Sequence, residues 1–180
     1  REYLPGDSFR SINWKALART GEMMVNEKTR DAVTDVFVIV DTRDVSRIGT
    51  VLKNPLEMGT VAAASVSNYF LKRRDSVSLV TYGSRMDYLP PETGDKQYFK
   101  ILSGLASVQP KGSMPLQAVT NALSPRISRG SPVFIISSLE GDGTTLPAIR
   151  SLSGKGHEVI VLSPSSIDLE RLVSRIPRMS

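Results

Sequence analysis

The sequence contains no cysteine, and this absence excludes disulfide bonds, thiolate metal sites and thiol nucleophiles. It has one histidine, His157, so a serine–histidine–aspartate triad could form only around that residue. His157 begins a predicted strand, which places it at the amino edge of the sheet, away from the loops where a site is expected. Phosphate-loop, dinucleotide, zinc-protease and nucleophile-elbow motifs are also missing. We therefore expect a protein that is not an enzyme.

Long apolar runs are missing as well. The longest nearly apolar stretch, residues 61–71, is interrupted by serines and Asn68 and is shorter than the roughly 20 residues that a bilayer-spanning helix needs. The net charge of +5 is dispersed and is not interleaved with aromatic residues, which argues against nucleic-acid binding. A chain of 180 residues with 40% hydrophobic side chains fits one domain. Because the first residue is Arg1 rather than Met, we expect an upstream portion in the full-length protein.

Strand-like and helix-like segments alternate along the rest of the chain. Residues 33–40 read VTDVFVIV, a β-branched apolar run typical of a buried parallel strand. Asn54 and Pro55 predict the start of a helix that ends near Arg73, and Glu57 is placed to close a capping box.

The later segments predict one hairpin and further β-α units. Residues 76–82 and 85–89 predict an antiparallel hairpin through the two residues 83–84, at one edge of the sheet. The other predicted elements are helices at 94–108, 115–123, 146–152 and 167–176 and strands at 132–137 and 157–162. This order predicts an α/β fold with a doubly wound, mostly parallel, Rossmann-like sheet and an antiparallel edge strand.

In open α/β sheets, ligands bind beyond the carboxyl ends of the strands. The loops there predict a partner-binding rim, formed by Asp41, Thr42, Arg43, Asp44, Ser113, Ser138, Glu140 and Asp142. Its oxygen-rich side chains could instead coordinate a hard cation such as Mg²⁺, or could simply cap the following helices. On this rim we expect the Arg43 guanidinium to form a two-pronged ion pair with a partner carboxylate. The alternative is a local surface pair with Asp44 or Asp142.

Residues 1–20, REYLPGDSFRSINWKALART, form a dense polar and aromatic segment before the first strand. We interpret residues 1–30 as a structural clasp on the domain formed by residues 31–180, and a binding epitope is the alternative. In the clasp, Trp14→Ala is expected to lower the free energy of unfolding by about 3 to 5 kcal/mol. The motif positions are Tyr3, Pro5, Gly6, Asp7, Arg10, Ile12, Trp14, Ala18 and Arg19.

This motif, followed by an apolar strand that ends in Asp41, resembles the family named domain of unknown function fifty-eight (DUF58). Its members resemble von Willebrand factor A domains, and the resemblance covers essentially the whole chain. It implies a domain that follows membrane segments, faces the cytoplasm and is encoded beside MoxR-type AAA+ ATPases.

The parent fold carries a metal-ion-dependent adhesion site, and the resemblance carries over only part of it. Asp41 matches the first aspartate, but Arg43 and Val45 stand where two serines are expected. Ser113 or Met114 replaces the threonine, and Ser138 replaces the later aspartate. The resemblance therefore implies a degenerate site, and we expect no metal and no cofactor.

The leading hypothesis is a non-catalytic protein-interaction domain of a membrane-tethered protein, at the cytoplasmic face of the membrane. Its expected partner is a MoxR-type AAA+ ATPase, in protein assembly or maturation. One alternative is a metal-dependent hydrolase that uses Asp41, Asp44 and Asp142. Another is an anion-sensing domain, in which Arg43 and the serines of the rim hold the anion.

Overall fold

The computed structural model describes residues 19–24, 33–44 and 54–164. The chain divides into two compact units, Arg1–Ala32 and Val33–Ser180. In the first unit, Arg19 is helical and exposed. The rest of the predicted clasp motif, residues 1–18, and the predicted helix at 167–176 lie outside the described residues.

The second unit contains a five-stranded sheet. Its strands are β1 (Asp35–Asp41), β2 (Ser76–Tyr82), β3 (Met86–Glu92), β4 (Pro132–Ile136) and β5 (Glu158–Leu162). Their order across the sheet is β3-β2-β1-β4-β5, and every pair is parallel except β2 with β3. The predicted central position of the first strand and the antiparallel edge are both confirmed.

The helices of this unit are α1 (Pro55–Lys72), α2 (Gly94–Ala106), α3 (Leu116–Leu123) and α4 (Thr145–Gly154), and a short 3₁₀ turn follows α3 at Ser124–Arg126. Residues of α1 and α2 share one apolar cluster with the sheet, and residues of α3 and α4 share the other. Helices therefore cover both faces, as the predicted doubly wound fold requires.

β1 is the centre of both clusters because its side chains alternate between the two faces of the sheet. Val36, Val38 and Val40 pack on the α1 and α2 side, whereas Phe37 and Ile39 pack on the α3 and α4 side. Full burial of such a side chain contributes roughly 1.5 to 3 kcal/mol. The parallel neighbours β2 and β4 hold β1 in register, so its last residue, Asp41, is fixed at the carboxyl edge of the sheet.

Two local predictions can be compared directly with the structure. The predicted helix start is confirmed, because the Asn54 side chain accepts a hydrogen bond from the Glu57 backbone N–H at 2.8 Å. The predicted two-residue hairpin is wrong by one residue, since three residues, Gly83, Ser84 and Arg85, separate β2 from β3. The Gly83 N–H donates to the Arg85 carbonyl at 3.1 Å and closes this turn.

Candidate functional site

Asp41 and Arg43 form a buried ion pair at the carboxyl end of β1. The Arg43 side chain folds back so that Nε donates to Asp41 Oδ1 at 2.9 Å and Nη2 donates to Asp41 Oδ2 at 2.6 Å. Only 3% of each residue is exposed. This is the two-pronged geometry that a planar guanidinium makes with a carboxylate, and here both partners lie in the same chain, two residues apart.

The Asp41 carboxylate accepts two further hydrogen bonds. Oδ1 accepts the Arg43 backbone N–H at 3.0 Å, and Oδ2 accepts the Ser137 hydroxyl at 2.6 Å. An ionised carboxylate offers about four lone-pair sites. Four hydrogen bonds from Arg43 and Ser137 therefore use the accepting capacity of Asp41.

Asp142 lies on the other side of the Arg43 guanidinium, with 3.7 Å between Asp142 Oδ2 and Arg43 Nη1. Its Oδ2 accepts the Leu116 backbone N–H at 2.7 Å, and its Oδ1 accepts the Thr144 N–H at 2.8 Å and the Thr144 hydroxyl at 2.6 Å. Asp142 thus caps the start of α3 and ties it to the loop that follows β4.

The surroundings of Asp142 favour its ionised form. Burial alone would raise the pKa of this carboxyl, but the hydrogen bonds from Leu116 and Thr144 and the positive charge of Arg43 outweigh burial and lower the pKa below its ordinary value. Asp142 is therefore negatively charged at neutral pH. The Arg43 guanidinium lies between two carboxylates.

Tyr82, at the end of β2, provides the apolar wall of this site. The Arg43 guanidinium carbon lies 5.7 Å from the centre of the Tyr82 ring, within the range of a cation–π contact. Burial would lower the pKa of Arg43, but its hydrogen bond and charge interaction with Asp41 raise it. Burial raises the pKa of Tyr82, and the nearby Asp41 charge adds to this effect. At neutral pH, Arg43 is charged and Tyr82 is neutral.

The residues of the predicted rim differ widely in exposure. Asp41, Thr42 and Arg43 are buried, and the side chain of Asp142 is only 4% exposed. Thr42 donates its hydroxyl to the Tyr82 carbonyl at 2.9 Å, which is a structural role. Ser138 is half-buried, whereas Asp44, Ser113 and Glu140 are exposed. The loops after β1 and β4 do meet, as the sequence predicted, and Arg43 joins them by donating from Nη2 to the Glu140 carbonyl at 3.3 Å.

Two expectations for Arg43 are corrected by this geometry. The prediction that its two-pronged ion pair is made with a partner protein is wrong, because Asp41 already occupies that edge of the guanidinium. The alternative of a local surface pair is correct in its Asp142 partner, which lies 3.7 Å from Arg43, but wrong in its location, since the guanidinium is buried and its main partner is Asp41. Arg43 is a structural element of the rim.

Two important residues were missed from the sequence. Tyr82 could have been found, because a strand that ends at Tyr82 beside a strand that ends at Asp41 brings the two residues into register. Leu139 adopts a positive φ of 63°, which is rare for a residue other than glycine, and no sequence signal reports it.

The sheet order, the helices on both faces and the carboxylate at the end of the central strand define an open α/β domain with a doubly wound, mostly parallel sheet. The chain belongs to the family described as protein of unknown function DUF58, whose model matches residues 1–170. This match confirms the resemblance seen in the amino-terminal motif. Within the part of the chain that the structure describes, no helix is long and apolar enough to cross a membrane.

Two curated relatives cover nearly all of this chain. The uncharacterized protein Rv1480 of Mycobacterium tuberculosis strain H37Rv is 28% identical over an alignment of 178 residues, which covers 94% of this chain and 55% of that protein. The uncharacterized protein YeaD of Bacillus subtilis strain 168 is 23% identical over 165 residues, covering 91% of this chain and 38% of that protein. The chain therefore spans about half the length, or less, of the curated relatives it matches.

Two solved structures share the fold. The conserved hypothetical protein BatB from Bacteroides thetaiotaomicron aligns with a TM-score of 0.60 and 19% identity, over 72% of this chain and 66% of that one. An aerotolerance-related membrane protein from Bacteroides fragilis NCTC 9343 aligns with a TM-score of 0.58 and 20% identity, over 72% and 67%. At these identities the likeness concerns the fold.

Proposed function

We propose that this chain is a non-catalytic protein-interaction domain of a membrane-tethered protein, and that its carboxyl-edge rim binds a MoxR-type AAA+ ATPase during protein assembly or maturation. The observation that carries the proposal is the saturation of Asp41. The carboxylate that would be the first metal ligand in a von Willebrand-type site is held by four hydrogen bonds from Arg43 and Ser137.

A divalent cation does not fit this arrangement. Mg²⁺ requires several free oxygen ligands in near-octahedral geometry, and Asp41 has no lone pair left for it. The Arg43 guanidinium is a fixed positive charge on the same carboxylate, so it would repel an incoming cation. The residues thus disfavour both metal-dependent adhesion and the metal-dependent hydrolase that uses Asp41, Asp44 and Asp142.

The anion-sensing alternative is disfavoured for a different reason. Arg43 is flanked by the carboxylates of Asp41 and Asp142, so the site carries two negative charges against one positive charge. An added anion would be repelled by this net charge. The guanidinium is also only 4% exposed, so an anion could not reach it from solvent without opening the loops.

A binding role remains for the exposed part of the rim. Loops at the carboxyl edge can vary without disturbing the core, and recognition surfaces are commonly placed there. The membrane tether and the cytoplasmic location are inferred from the family resemblance. The Bacteroides fragilis neighbour, described as a membrane protein, supports a membrane context.

The proposal is tested by titrating the purified domain with the MoxR-type ATPase encoded in the same genome, using calorimetry or interferometry. Glu140 is exposed at the rim, and Glu158 is exposed at the opposite edge of the sheet, where β5 begins. We expect Glu140→Lys to weaken the complex by about tenfold, a loss equivalent to about 1.4 kcal/mol, and Glu158→Lys to leave it unchanged. Absence of any complex with the wild-type domain, or equal effects of the two variants, would reject the proposal.

A further inference from the structure

Leu139 combines two unfavourable features in the loop after β4. Its backbone lies in the left-handed region with φ of 63°, which residues other than glycine, asparagine and aspartate rarely adopt. Its side chain is 37% exposed, although it is a large hydrophobic residue. Residues held in such conformations concentrate at functional sites, where the surrounding structure enforces them.

The buried ion-pair site is what enforces this conformation. On one side, the Leu139 N–H donates to the Ser137 hydroxyl at 3.0 Å, and that hydroxyl donates to Asp41. On the other side, the carbonyl of the next residue, Glu140, accepts from Arg43 Nη2 at 3.3 Å. The loop is therefore fastened immediately before and immediately after Leu139. Arg43 and Asp41 hold an apolar side chain out at the rim.

The charges near Leu139 indicate the chemistry of what it meets. Two exposed acidic residues lie on the loops that Arg43 joins: Glu140, which follows Leu139 directly, and Asp44, in the loop after β1. An apolar side chain in acidic surroundings is complementary to an apolar pocket bordered by lysine or arginine.

We propose that Leu139 is the apolar anchor of the rim and inserts into an apolar pocket with a basic border on the partner protein. This inference rests on the proposed function for the identity of that partner, the MoxR-type ATPase. Anchors of this kind carry a large share of the binding energy of an interface. In this proposal, Asp41 and Arg43 bind no metal and instead fix the loop after β4, which carries Leu139.

The test uses substitutions that suit the backbone. Leu139→Gly and Leu139→Asn both tolerate a positive φ, so the domain should stay folded with an unchanged or higher melting temperature. Both variants remove the apolar side chain, and we expect the affinity for the purified ATPase to fall by about tenfold or more. Leu146 is the matched control, because it is 66% exposed on α4, outside this loop. Leu146→Asn should change the affinity by less than about twofold.

Each outcome separates this inference from the proposed function. A loss of affinity with retained stability in both Leu139 variants, but not in Leu146→Asn, supports the anchor. If the wild-type domain binds the ATPase and the Leu139 variants bind equally well, the anchor is rejected and the proposed function stands. A clear fall in melting temperature for Leu139→Gly also rejects it, because the side chain would then be structural. If the wild-type domain does not bind the ATPase, the proposed function is rejected. The proposal that Leu139 anchors this partner is then rejected as well.

Discussion

The guanidinium of Arg43 closes a buried two-pronged ion pair on Asp41, at 2.9 and 2.6 Å, within a span of three residues. A positive charge supplied by the chain thus neutralises the carboxylate at the end of the central strand. In the metal-ion-dependent adhesion site that the family resemblance implies for the parent fold, a cation would supply that charge. Because Arg43 also contacts Asp142 and the Glu140 carbonyl, it joins the loop after β1 to the loop after β4.

Removal of Arg43 should therefore destabilise the fold. Arg43→Ala leaves Asp41 buried without its countercharge, and breaking a buried pair in this way costs about 3 to 5 kcal/mol. Arg85→Ala is the control, because the Arg85–Asp87 pair is exposed, with side chains 80% and 59% accessible, and such pairs contribute less than about 1 kcal/mol. Urea denaturation measures both free energies of unfolding. Equal stability of the two variants would show that the Arg43 pair contributes little.

A second prediction concerns metal binding after the guanidinium is removed. Arg43→Ser removes one of the two hydrogen bonds on each Asp41 oxygen and adds a hydroxyl, while Asp142 and Ser137 stay nearby. Millimolar Mg²⁺ should raise the melting temperature of Arg43→Ser, because a ligand that binds only the folded state stabilises it. The wild-type domain should show no such increase and no heat of Mg²⁺ or Mn²⁺ binding in calorimetry. Mg²⁺ binding by the wild-type domain would contradict the assignment of Arg43 as the resident positive charge.

The sequence predicted correctly those secondary-structure elements that depend on residues close together in the chain. Three features could be predicted because each depends on a pattern within one short segment. They are the apolar run of β1, the Asn54 cap of α1 and the span 76–82 of β2. The direction of the Arg43 side chain could not be placed, because it depends on Ser137, 96 residues from Asp41, and on Asp142 in the loop after the neighbouring strand β4. The sequence identified Asp41 and Asp142 as site residues but could not show that Arg43 lies between them.

Gly83, in the turn after β2, lies close to the backbone of Thr42 and Lys111, and this predicts a strict requirement for glycine at position 83. A Cβ there would lie 2.8 Å from the Thr42 carbonyl oxygen and would also meet the Lys111 carbonyl oxygen, and both are backbone atoms that cannot move independently. Because of this overlap, Gly83→Ala should lower the free energy of unfolding by about 1 to 3 kcal/mol or more. Gly143→Ala on the same rim is the control, since nothing lies within 4 Å of its Cβ position. Thermal melts of the two variants should differ clearly, and similar melts would mean that the loops yield easily.

His157 predicts how stability depends on pH. It is 8% exposed at the start of β5, and its Nδ1 has no hydrogen-bond partner among the described residues. Burial lowers the pKa of His157 below its ordinary value and the charge of Lys155 lowers it further, against a smaller opposing effect of a hydrogen bond to the Ser128 backbone. The unfolded chain therefore binds a proton at a higher pH than the folded domain does. The resulting stability is fully present above the ordinary pKa of about 6.5 and is lost as the pH falls through the folded-state pKa.

His157 is the only histidine in the sequence, so a comparison between pH 7.5 and pH 5 isolates its effect from those of the carboxylates. The lowered pKa of Asp142 acts in the same direction, but its stability is lost only as the pH falls below the ordinary aspartate value of about 3.9. We expect the wild-type domain to lose free energy of unfolding between pH 7.5 and pH 5, and His157→Gln to lose less, because glutamine does not titrate. Urea denaturation at the two pH values gives the four free energies needed. An equal loss in both proteins would mean that the His157 proton is not linked to folding, and that other groups cause the pH dependence.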